Sequence, residues 1–594
     1  MTQTMTLPHK IDIETRSDGA LILRSAHPLD PVAATTAEWL HQWSAKTPDA
    51  VFIAERSGAG WREVRYAEAL GMVQALAGWL LAQGLVPGDR VLILSGNSVD
   101  HGLLALAAQY VGLVAVPVAE QYALIPGAHD RLIYAAQTVR PKLLFVDDPA
   151  RYAAALSLPD LAATPVLAST AQGAPRPVFT MEDAFKGGAD ISAAHGAIGP
   201  DTLVKILFTS GSTSLPKGVM TTHRMMCVNQ AQIATVMPLL KSRAPKILDW
   251  LPWNHVFGGS HNFNMMLANG GALYIDDGKP TDALFGRTVE NMTMHTGTLA
   301  FNVPVGFARV LKSLESDESL RRKYFTGLDF TFYAGASLPQ EIWQGIERMA
   351  LEVAGTVPLM TSSWGLTETA PAVLLTHERV TRSGIIGAPL PGTEVKLIPD
   401  EDEGRFEVRA RGPNVMQSYW ENAEKTAEAF DDEGYFITGD AMKWVDPTAP
   451  DRGLAFDGRI SEDFKLQSGT WVRVAQLKGQ VMTALQGLAA DLIITGEGRN
   501  ELGVLVFPVK PGQGNGLVDD AALLAEIRAR LEPFAQSAAG SSSRLTCAAV
   551  LAEPQSLAHH EVTAKGNLNI RAVLTRRAAL VDQMYDGGAG AIRF

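Results

Sequence analysis

The feature that most constrains the fold is an alternation of short apolar runs with amphipathic stretches along much of the chain. Residues 91–94 form an apolar run with the length of a buried strand, and residues 142–146 and 205–208 are apolar after an initial lysine. Residues 66–83 instead carry apolar side chains at helical spacing. Gly84 follows that stretch, where a C-terminal helix cap is expected. Strands that alternate with helices are typical of α/β layers around a mostly parallel sheet. We therefore predict an α/β fold.

The length of the chain and a change of pattern near its end predict two domains. The chain has 594 residues, more than a single hydrophobic core usually accommodates. After Gly458, two strand-like runs at 492–495 and 503–508 are followed by an amphipathic helix and a further strand, a pattern typical of a small α+β unit. We therefore predict a large N-terminal domain of layered sheets and helices at 1–457 and a small α+β C-terminal domain at 458–594.

Charge, cysteine content and apolar runs exclude several classes of protein. The formal net charge of −12 argues against nucleic acid or an anionic membrane as the main partner. Cys227 and Cys547 are the two cysteines, too few for a disulfide framework and consistent with a reducing compartment. Residues 1–19 lack the apolar core of a signal peptide, and the apolar run at 103–118 is shorter than the ~20 residues of a spanning helix. We expect a cytoplasmic protein.

A loop dense in glycine, serine and threonine follows the apolar run at 205–208. Its sequence at 207–218 is LFTSGSTSLPKG, in which small residues let consecutive backbone N–H groups curl around an anion. The candidate phosphate ligands of this loop are Thr209, Ser210, Gly211, Ser212, Thr213 and Lys217. The loop is not a Walker A motif, because Lys217 precedes its glycine. A flexible surface loop is the alternative interpretation, and the preceding strand favours phosphate binding.

This loop resembles the signature of the AMP-forming adenylating superfamily, which includes acyl-CoA synthetases, nonribosomal-peptide adenylation domains and beetle luciferases. Further motifs of the family follow in its usual order, and the resemblance covers residues 60–575. It implies a large nucleotide-binding domain, a small C-terminal domain that moves during catalysis, and an ATP-dependent activation of a carboxylic acid. ATP, Mg²⁺ and coenzyme A are the implied cofactors and co-substrates.

Four further motifs supply the nucleotide contacts that the resemblance implies. In SWGLTET, Trp364 lies against adenine, Thr367 contacts the α-phosphate and Glu368 holds Mg²⁺ together with Thr209. The family more often has Tyr or Phe where this chain has Trp364. The loop YAGASLP forms the adenine pocket, and TGD and DGR contact the ribose. The residues implied by these three motifs are Gly335, Ala336, Ser337, Asp440 and Arg459.

Two departures from the family pattern fall in the C-terminal region. The usual hinge Asp or Lys is replaced by Ser461, and the hinge motif carries one extra residue before its last glycine. The lysine that bridges the substrate carboxylate and ATP usually follows a glycine, whereas here the order is reversed, AKGN. Lys565 is the candidate for this catalytic lysine, and strict alignment on the glycine places Asn567 there instead.

The acyl site is implied by the segment DWLPWNHVFGG at 249–259, which resembles the family's acyl-gate motif. His255 is the candidate gate, with a histidine satisfied in the core as the alternative. The further candidate acyl-binding residues are Phe257, Phe263, Asn302, Val303 and Gly335. The segments at 250–279, 464–471 and 565–571 look most like those of feruloyl-CoA synthases, and the two departures also belong to that subgroup. This resemblance implies ferulate, p-coumarate or caffeate as the acid.

The functional hypothesis is therefore an acid–CoA ligase that forms an acyl-adenylate and then an acyl-CoA thioester. Small-molecule substrates are the expected partners, nucleic acid and membrane are not, and a homodimer is left open. A ligase for medium-chain or other aryl acids and an adenylating enzyme that serves a carrier protein are alternatives of the same class. A nucleotide-binding protein without activity is the alternative of another class, and the altered lysine motif suggests it.

Overall fold

The structure, a computed structural model, describes residues 5–209, 216–400, 404–538, 540–556, 559–562 and 568–594. Within these residues the chain forms three sheets up to Arg459 and a hairpin and a fourth sheet after it. Helices pack between and around the sheets. This is the layered α/β fold with a smaller C-terminal α+β unit that the sequence predicts.

The central parallel sheet carries the strand that leads into the Gly/Ser/Thr loop. Its strand order is Lys217–Thr222, Leu203–Thr209, Val114–Pro117, Arg90–Ile93, Leu143–Val146, Val166–Ala168 and Phe179–Thr180. All neighbours pair in parallel except the first two strands, which form an antiparallel pair around the loop. Its inner strands Val114–Pro117, Arg90–Ile93, Leu143–Val146 and Val166–Ala168 are almost entirely buried, which explains their continuous apolar sequences.

A second sheet is mixed, whereas the runs that predicted a mostly parallel sheet all lie in the first sheet. Its strand order is Ile11–Thr15, Leu21–Ser25, Glu394–Pro399, Arg405–Arg411, Phe436–Trp444, Leu454–Arg459, Ile385–Pro389, Ala372–Leu375, Leu359–Gly365, Phe330–Tyr333 and Leu299–Asn302. The last three strands pair in parallel, and the other neighbours are antiparallel. The connection from Glu394–Pro399 to Arg405–Arg411 has five residues, too few for a helical crossover, and these two strands pair antiparallel.

The third sheet and most helices complete the large unit. The sheet has the order Lys246–Asp249, Ala272–Ile275, Val51–Ser57 and Gly60–Arg65. The helices before Arg459 are Thr36–Lys46, Tyr66–Ala82, Val99–Tyr110, Glu120–Leu124, His129–Val139, Ala153–Leu156, Met181–Ala184, Ser192–Ala197, His223–Val236, Leu239–Ser242, Phe263–Ala268, Phe285–Met294, Pro304–Ser316, Glu318–Phe325, Gln340–Ala354 and Ala423–Glu428. A π-helix, Phe257–Asn262, precedes Phe263–Ala268.

The C-terminal unit has its own sheet and its own apolar core. Its hairpin pairs Phe464–Lys465 with Trp471–Val472, and its sheet has the order Ala489–Thr495, Leu502–Pro508, Leu545–Val550 and Ala591–Arg593. The helices are Val474–Ala484, Ala521–Ser537, Ile570–Arg576 and Ala578–Tyr585. The change of sheet follows Arg459, at the turn Ile460–Glu462 that contains Ser461. Asp463 anchors this connection, because its buried carboxylate accepts from Arg405 at 2.7 Å.

Local expectations from the sequence agree with these elements. The stretch predicted as a helix at 66–83 forms the helix Tyr66–Ala82, and Gly84 beyond its C-terminal cap has φ +84°. The run predicted as a strand at 503–508 forms Leu502–Pro508. Among the described residues, no helix is both long enough and apolar enough to cross a membrane.

Candidate active site

A cleft of about 3430 Å³ lies between the large unit and the C-terminal unit. Its floor is built from residues at or beyond the carboxyl ends of parallel strands, including Thr209 at the end of Leu203–Thr209 and Ala334 after Phe330–Tyr333. Ligands of α/β sheets bind at this edge, because the loops that follow the strands converge there. Contacts between the two units include an ion pair of His560 with Asp130 at 3.5 Å and a hydrogen bond from Gln486 to Glu341.

The cleft brings most of the predicted site residues together. Those that line it are Thr209, Lys217, His255, Phe257, Val303, Gly335, Ala336, Ser337, Trp364, Thr367, Glu368, Asp440, Arg459 and Ser461. The predicted residues Ser210, Gly211, Ser212, Thr213 and Lys565 lie outside the described residues, as does Asn567. Val562 and Leu568, which flank residues 563–567, line the cleft.

Asp440 presents a buried oxygen that makes no hydrogen bond to the described residues. Its Oδ2 accepts from Trp364 Nε1 at 2.8 Å, and its Oδ1 makes no hydrogen bond to any described residue. Arg459 Nε lies 3.6 Å from Oδ1 as an ion pair. Burial raises the pKa of the Asp440 carboxyl, and the charge of Arg459 partly opposes this shift. A buried acceptor is costly when unpaired, so Oδ1 suits a hydroxyl donor brought by a ligand.

Tyr419 connects Lys217, at the end of the Gly/Ser/Thr loop, to Glu368, the predicted Mg²⁺ ligand. Lys217 Nζ donates to Tyr419 Oη at 3.0 Å, and Tyr419 Oη donates to Glu368 Oε1 at 2.9 Å. The ammonium of Lys217 also lies 4.1 Å from the centroid of the Tyr419 ring. Burial raises the pKa of Tyr419 well above its usual range, and Glu368 raises it further, so the phenol stays protonated and remains a donor.

Backbone contacts fix this arrangement. Met416 N donates to Glu368 O, and Trp420 N donates to Gly218 O, both at 2.8 Å. The segment that carries Tyr419 is therefore held between the loop strand and the turn Thr367–Thr369. The hydrogen bonds join a cation, a phenol and a carboxylate, so this group can bind phosphate oxygens at Lys217 and a metal at Glu368.

The donor set fits a magnesium ion that is shared with a nucleotide. No group of three or more His, Cys, Asp or Glu side chains that could hold a metal occurs in the part of the chain that the structure describes. Mg²⁺ binds through one or two carboxylates and completes its shell with phosphate oxygens and water. Glu368, which is 8% exposed and lines the cleft, supplies such a single carboxylate.

The loop after strand Phe330–Tyr333 forms the wall that was predicted to hold adenine. Gly335 has φ +86°, a conformation that side chains with a Cβ rarely adopt, so the backbone can stay close to a flat ligand there. Tyr333 Oη accepts from Gly384 N at 3.1 Å, which ties this loop to the neighbouring strand connection. Trp364, which was predicted to lie against adenine, also lines the cleft.

The wall predicted to hold the acyl group is aromatic. Trp250, His255, Phe257 and Tyr333 line this part of the cleft together with Val303. His255 Nδ1 accepts from Phe257 N at 3.2 Å at the start of the π-helix Phe257–Asn262. Short π-helical segments such as this one are frequent at functional sites.

Two predicted acyl-binding residues do not reach the lining of the cleft in the described structure. Phe263 instead packs in the core, with its ring 5.0 Å from Trp253 and 5.8 Å from Phe52. Asn302 lies behind the wall, where its Oδ1 accepts from Trp250 Nε1 at 3.1 Å. Asn302 therefore orients Trp250, and both predicted residues lie outside the lining of the cleft.

Tyr419 and His261 line the cleft although sequence reasoning did not select them. Tyr419 lies in the segment RGPNVMQSYW at 411–420, and nothing in that sequence revealed the contacts with Lys217 and Glu368. His261 is a lone histidine in an apolar stretch, a pattern that more often marks a core residue.

Comparison with protein families identifies this arrangement. A model of AMP-binding enzymes matches residues 40–420, more than half of the chain. A second model, of the AMP-binding enzyme C-terminal domain, matches residues 464–589. The chain belongs to the AMP-binding enzyme family. The two matched segments correspond to the large unit and to the C-terminal unit of the fold.

Known relatives of this AMP-binding enzyme include ligases for different acids. A 3-hydroxybenzoate–CoA ligase of Aromatoleum sp. (strain CIB) is 26% identical over 449 residues, which cover 73% of this chain and 79% of the relative. The long-chain-fatty-acid–CoA ligase FadD15 of Mycobacterium bovis (strain ATCC BAA-935 / AF2122/97) is 24% identical over 507 residues, 77% of this chain and 79% of the relative.

Solved structures show the same fold. The anthranilate CoA ligase AuaEII, in complex with anthranoyl-AMP, superimposes with a TM-score of 0.73 at 17% sequence identity and covers 93% of this chain and 99% of its own. The O-succinylbenzoate coenzyme A synthetase of Bacillus subtilis, in complex with AMP, gives a TM-score of 0.67 at 17% identity.

Proposed function

We propose that this ATP-dependent, AMP-forming acid–CoA ligase acts on hydroxycinnamic acids such as ferulate, p-coumarate and caffeate. The observation that carries the proposal is the composition of the cleft: an unpaired Asp440 oxygen and the Lys217–Tyr419–Glu368 line on one side, and aromatic rings on the other. The first part suits a ribose and phosphates, and the second suits a flat acid.

Adenylation requires that two anions approach each other. The acid carboxylate attacks the α-phosphorus of ATP, and pyrophosphate leaves, so positive charge near the phosphates is the main requirement. Lys217 supplies one charge, and Lys565 is proposed to supply another between the carboxylate and ATP. Glu368 holds the metal, and Thr367 contacts the α-phosphate. When bound, Mg²⁺ neutralises charge on the phosphate oxygens.

The nucleoside part is held by the other predicted residues. Asp440 Oδ1 accepts from a ribose hydroxyl, and Arg459 beside it contacts the same sugar. The loop at Gly335, Ala336 and Ser337 and the ring of Trp364 enclose adenine. Trp364 has a second task, because its N–H holds Oδ2 of Asp440 at 2.8 Å and so fixes the direction of Oδ1.

Thioester formation needs a different arrangement of the two units. The CoA thiol attacks the acyl carbonyl and AMP leaves, so Lys565 must withdraw and a path to the carbonyl must open. Rotation about the connection at Ser461 would accomplish this, with residues 1–457 and 458–594 as the two bodies. Ser461 lies between Arg459 on the ribose side and Asp463, which Arg405 anchors.

The substrate class rests on the aromatic wall and on the sequence resemblance. Trp250, Phe257 and Tyr333 form a wall for a planar ring, which a flexible alkyl chain would use less well because it loses rotamer entropy on binding. The 3-hydroxybenzoate ligase among the relatives has an aromatic substrate by name. The segments at 250–279, 464–471 and 565–571 resemble feruloyl-CoA synthases, which favours a hydroxycinnamate.

A screen of acids tests this proposal. The purified protein is incubated with ATP, Mg²⁺ and CoA and with one of ferulate, p-coumarate, caffeate, 3-hydroxybenzoate or decanoate, and kcat/KM for thioester formation is measured. The three hydroxycinnamates should be preferred, with differences among them of about 1–3 kcal/mol in transition-state binding. A preference for decanoate or 3-hydroxybenzoate over all three would refute the substrate class and leave the adenylation chemistry intact.

A further inference from the structure

We propose that His261 is the residue that recognises the phenolic hydroxyl of the substrate, by accepting a hydrogen bond from it at Nε2. The proposal rests on the proposed function, because it presupposes a hydroxylated aromatic acid in the cleft. It adds a specificity-determining residue to the acyl wall that the sequence motifs did not contain.

The first observation is the distribution of unpaired polar atoms. A few buried side-chain nitrogen or oxygen atoms of the described residues make no hydrogen bond. Only two of them belong to described residues that line the cleft, Asp440 Oδ1 and His261 Nε2. Asp440 Oδ1 is assigned to the ribose. By the same reasoning, His261 Nε2 is suited to meet a polar group on the other ligand of the cleft, the acid.

The second observation fixes the chemical role of that nitrogen. Asn262 Nδ2 donates to Asp249 Oδ2 at 2.9 Å, which leaves Asn262 Oδ1 as an acceptor. His261 Nδ1 lies 2.9 Å from that Oδ1 and must therefore carry the proton. Burial lowers the pKa of His261 to about 4, so the ring is neutral at pH 7. Nε2 is then an acceptor that a phenol O–H can satisfy, and an ether oxygen cannot.

The surroundings of His261 make this contact selective. Its ring lies 4.8 Å from Phe332, 5.6 Å from Phe257 and 5.7 Å from Phe301. The residue is 1% exposed. A substrate hydroxyl that reaches Nε2 is therefore removed from water. A substrate whose ring carries no hydroxyl leaves Nε2 without a hydrogen bond. A pocket built to hydrogen-bond a hydroxyl rejects analogues that lack it much more strongly than a purely apolar pocket does.

The experiment compares three acids that differ at one position: p-coumarate, cinnamate and 4-methoxycinnamate. The assay is run at pH 8, because burial raises the pKa of the Asp249 carboxyl to about 7 and the group is then mostly ionised. Under these conditions kcat/KM of the wild-type protein should be about 10- to 100-fold higher for p-coumarate than for either analogue. Equal kcat/KM for p-coumarate and 4-methoxycinnamate in the wild-type protein would overturn the proposal without any variant.

Variants separate recognition from folding. His261→Phe keeps an aromatic ring and removes the acceptor, so the ratio of p-coumarate to cinnamate should fall to within about 3-fold. His261→Gln restores an acceptor and should recover part of the ratio. His223→Phe is the matched control: His223 is also fully buried with an unpaired Nε2, but it is not in the lining of the cleft. The control should keep the wild-type ratio.

The outcomes distinguish this inference from the proposed function. If no hydroxycinnamate is a substrate, the proposed function fails. If the hydroxycinnamates are substrates but His261→Phe retains the wild-type ratio, the role of His261 is wrong and the proposed function stands. If His261→Phe and His223→Phe lower the ratio equally, the effect comes from lost packing, and the proposal is also overturned.

Discussion

Substitution of Asp440 should weaken ATP binding and stabilise the free protein at the same time. The carboxylate is 4% exposed, and its Oδ1 has no hydrogen-bond partner among the described residues. In Asp440→Asn, the amide oxygen can still accept from Trp364 Nε1, while the amide nitrogen replaces the acceptor that the ribose needs. The variant thus removes the negative charge and the acceptor at Oδ1 while it keeps the packing of the side chain.

The loss of ATP affinity follows from the kind of bond that is removed. A hydrogen bond to a charged group contributes about 1.5–3 kcal/mol, so KM for ATP should rise about 10- to 150-fold. Asp440→Ala should show at least this loss, because Trp364 Nε1 then also lacks its partner. Both variants should leave KM for the acid nearly unchanged.

The gain in stability follows from the sign of the pKa shift. Burial raises the folded-state pKa of Asp440 above its unfolded value, so the ionised carboxylate opposes folding at pH values above the folded pKa. Asp440→Asn removes this penalty and should raise Tm at pH 7.5, and the gain should vanish as pH falls below the unfolded pKa. Steady-state kinetics and thermal melts measure the two effects. Unchanged kinetics for ATP would refute the ribose assignment, and a lower Tm at pH 7.5 would refute the electrostatic argument.

Two further substitutions test the phosphate side of the cleft. Tyr419→Phe keeps the buried ring but removes the hydroxyl that bonds to Lys217 and Glu368. Adenylation should therefore slow by about 2- to 10-fold and require a higher Mg²⁺ concentration. An unchanged Mg²⁺ titration would contradict this. Lys565→Ala should slow adenylation by on the order of 10²–10³. Thioester formation from pre-formed acyl-adenylate should survive in that variant. Adenylation near the wild-type rate would redirect attention to Asn567 or another residue, with Asn567→Ala as the matched test.

Local sequence patterns predict the elements of the fold but not the direction of every strand. Continuous apolar runs such as 142–146 predict strands that are buried on both faces, and the helix at 66–83 shows both its periodicity and its terminal glycine. The mixed sheet was not predicted as antiparallel, because strands such as Arg405–Arg411 pair with partners that local periodicity does not identify. Pairing is decided by the connections and by tertiary packing.

The candidate site was predictable where a motif carries its own chemistry. The family motifs predicted Glu368 and Asp440 as site residues, and both line the cleft. Phe263 was assigned to the acyl site by its position in a motif, but position does not reveal which face of a helix meets the cavity. Tyr419 bonds to residues distant in sequence, and His261 carries a buried nitrogen without a hydrogen bond in the described structure; only the packed structure displays these relations.

The most direct test of the whole account is the first half-reaction in the absence of CoA. The protein is incubated with ATP, Mg²⁺, labelled pyrophosphate and ferulate, and the return of label into ATP is followed. Exchange should require ferulate, and later addition of CoA should release AMP and feruloyl-CoA in equal amounts. Exchange that does not depend on the acid, or the formation of ADP and phosphate in place of AMP and pyrophosphate, would contradict an acyl-adenylate route.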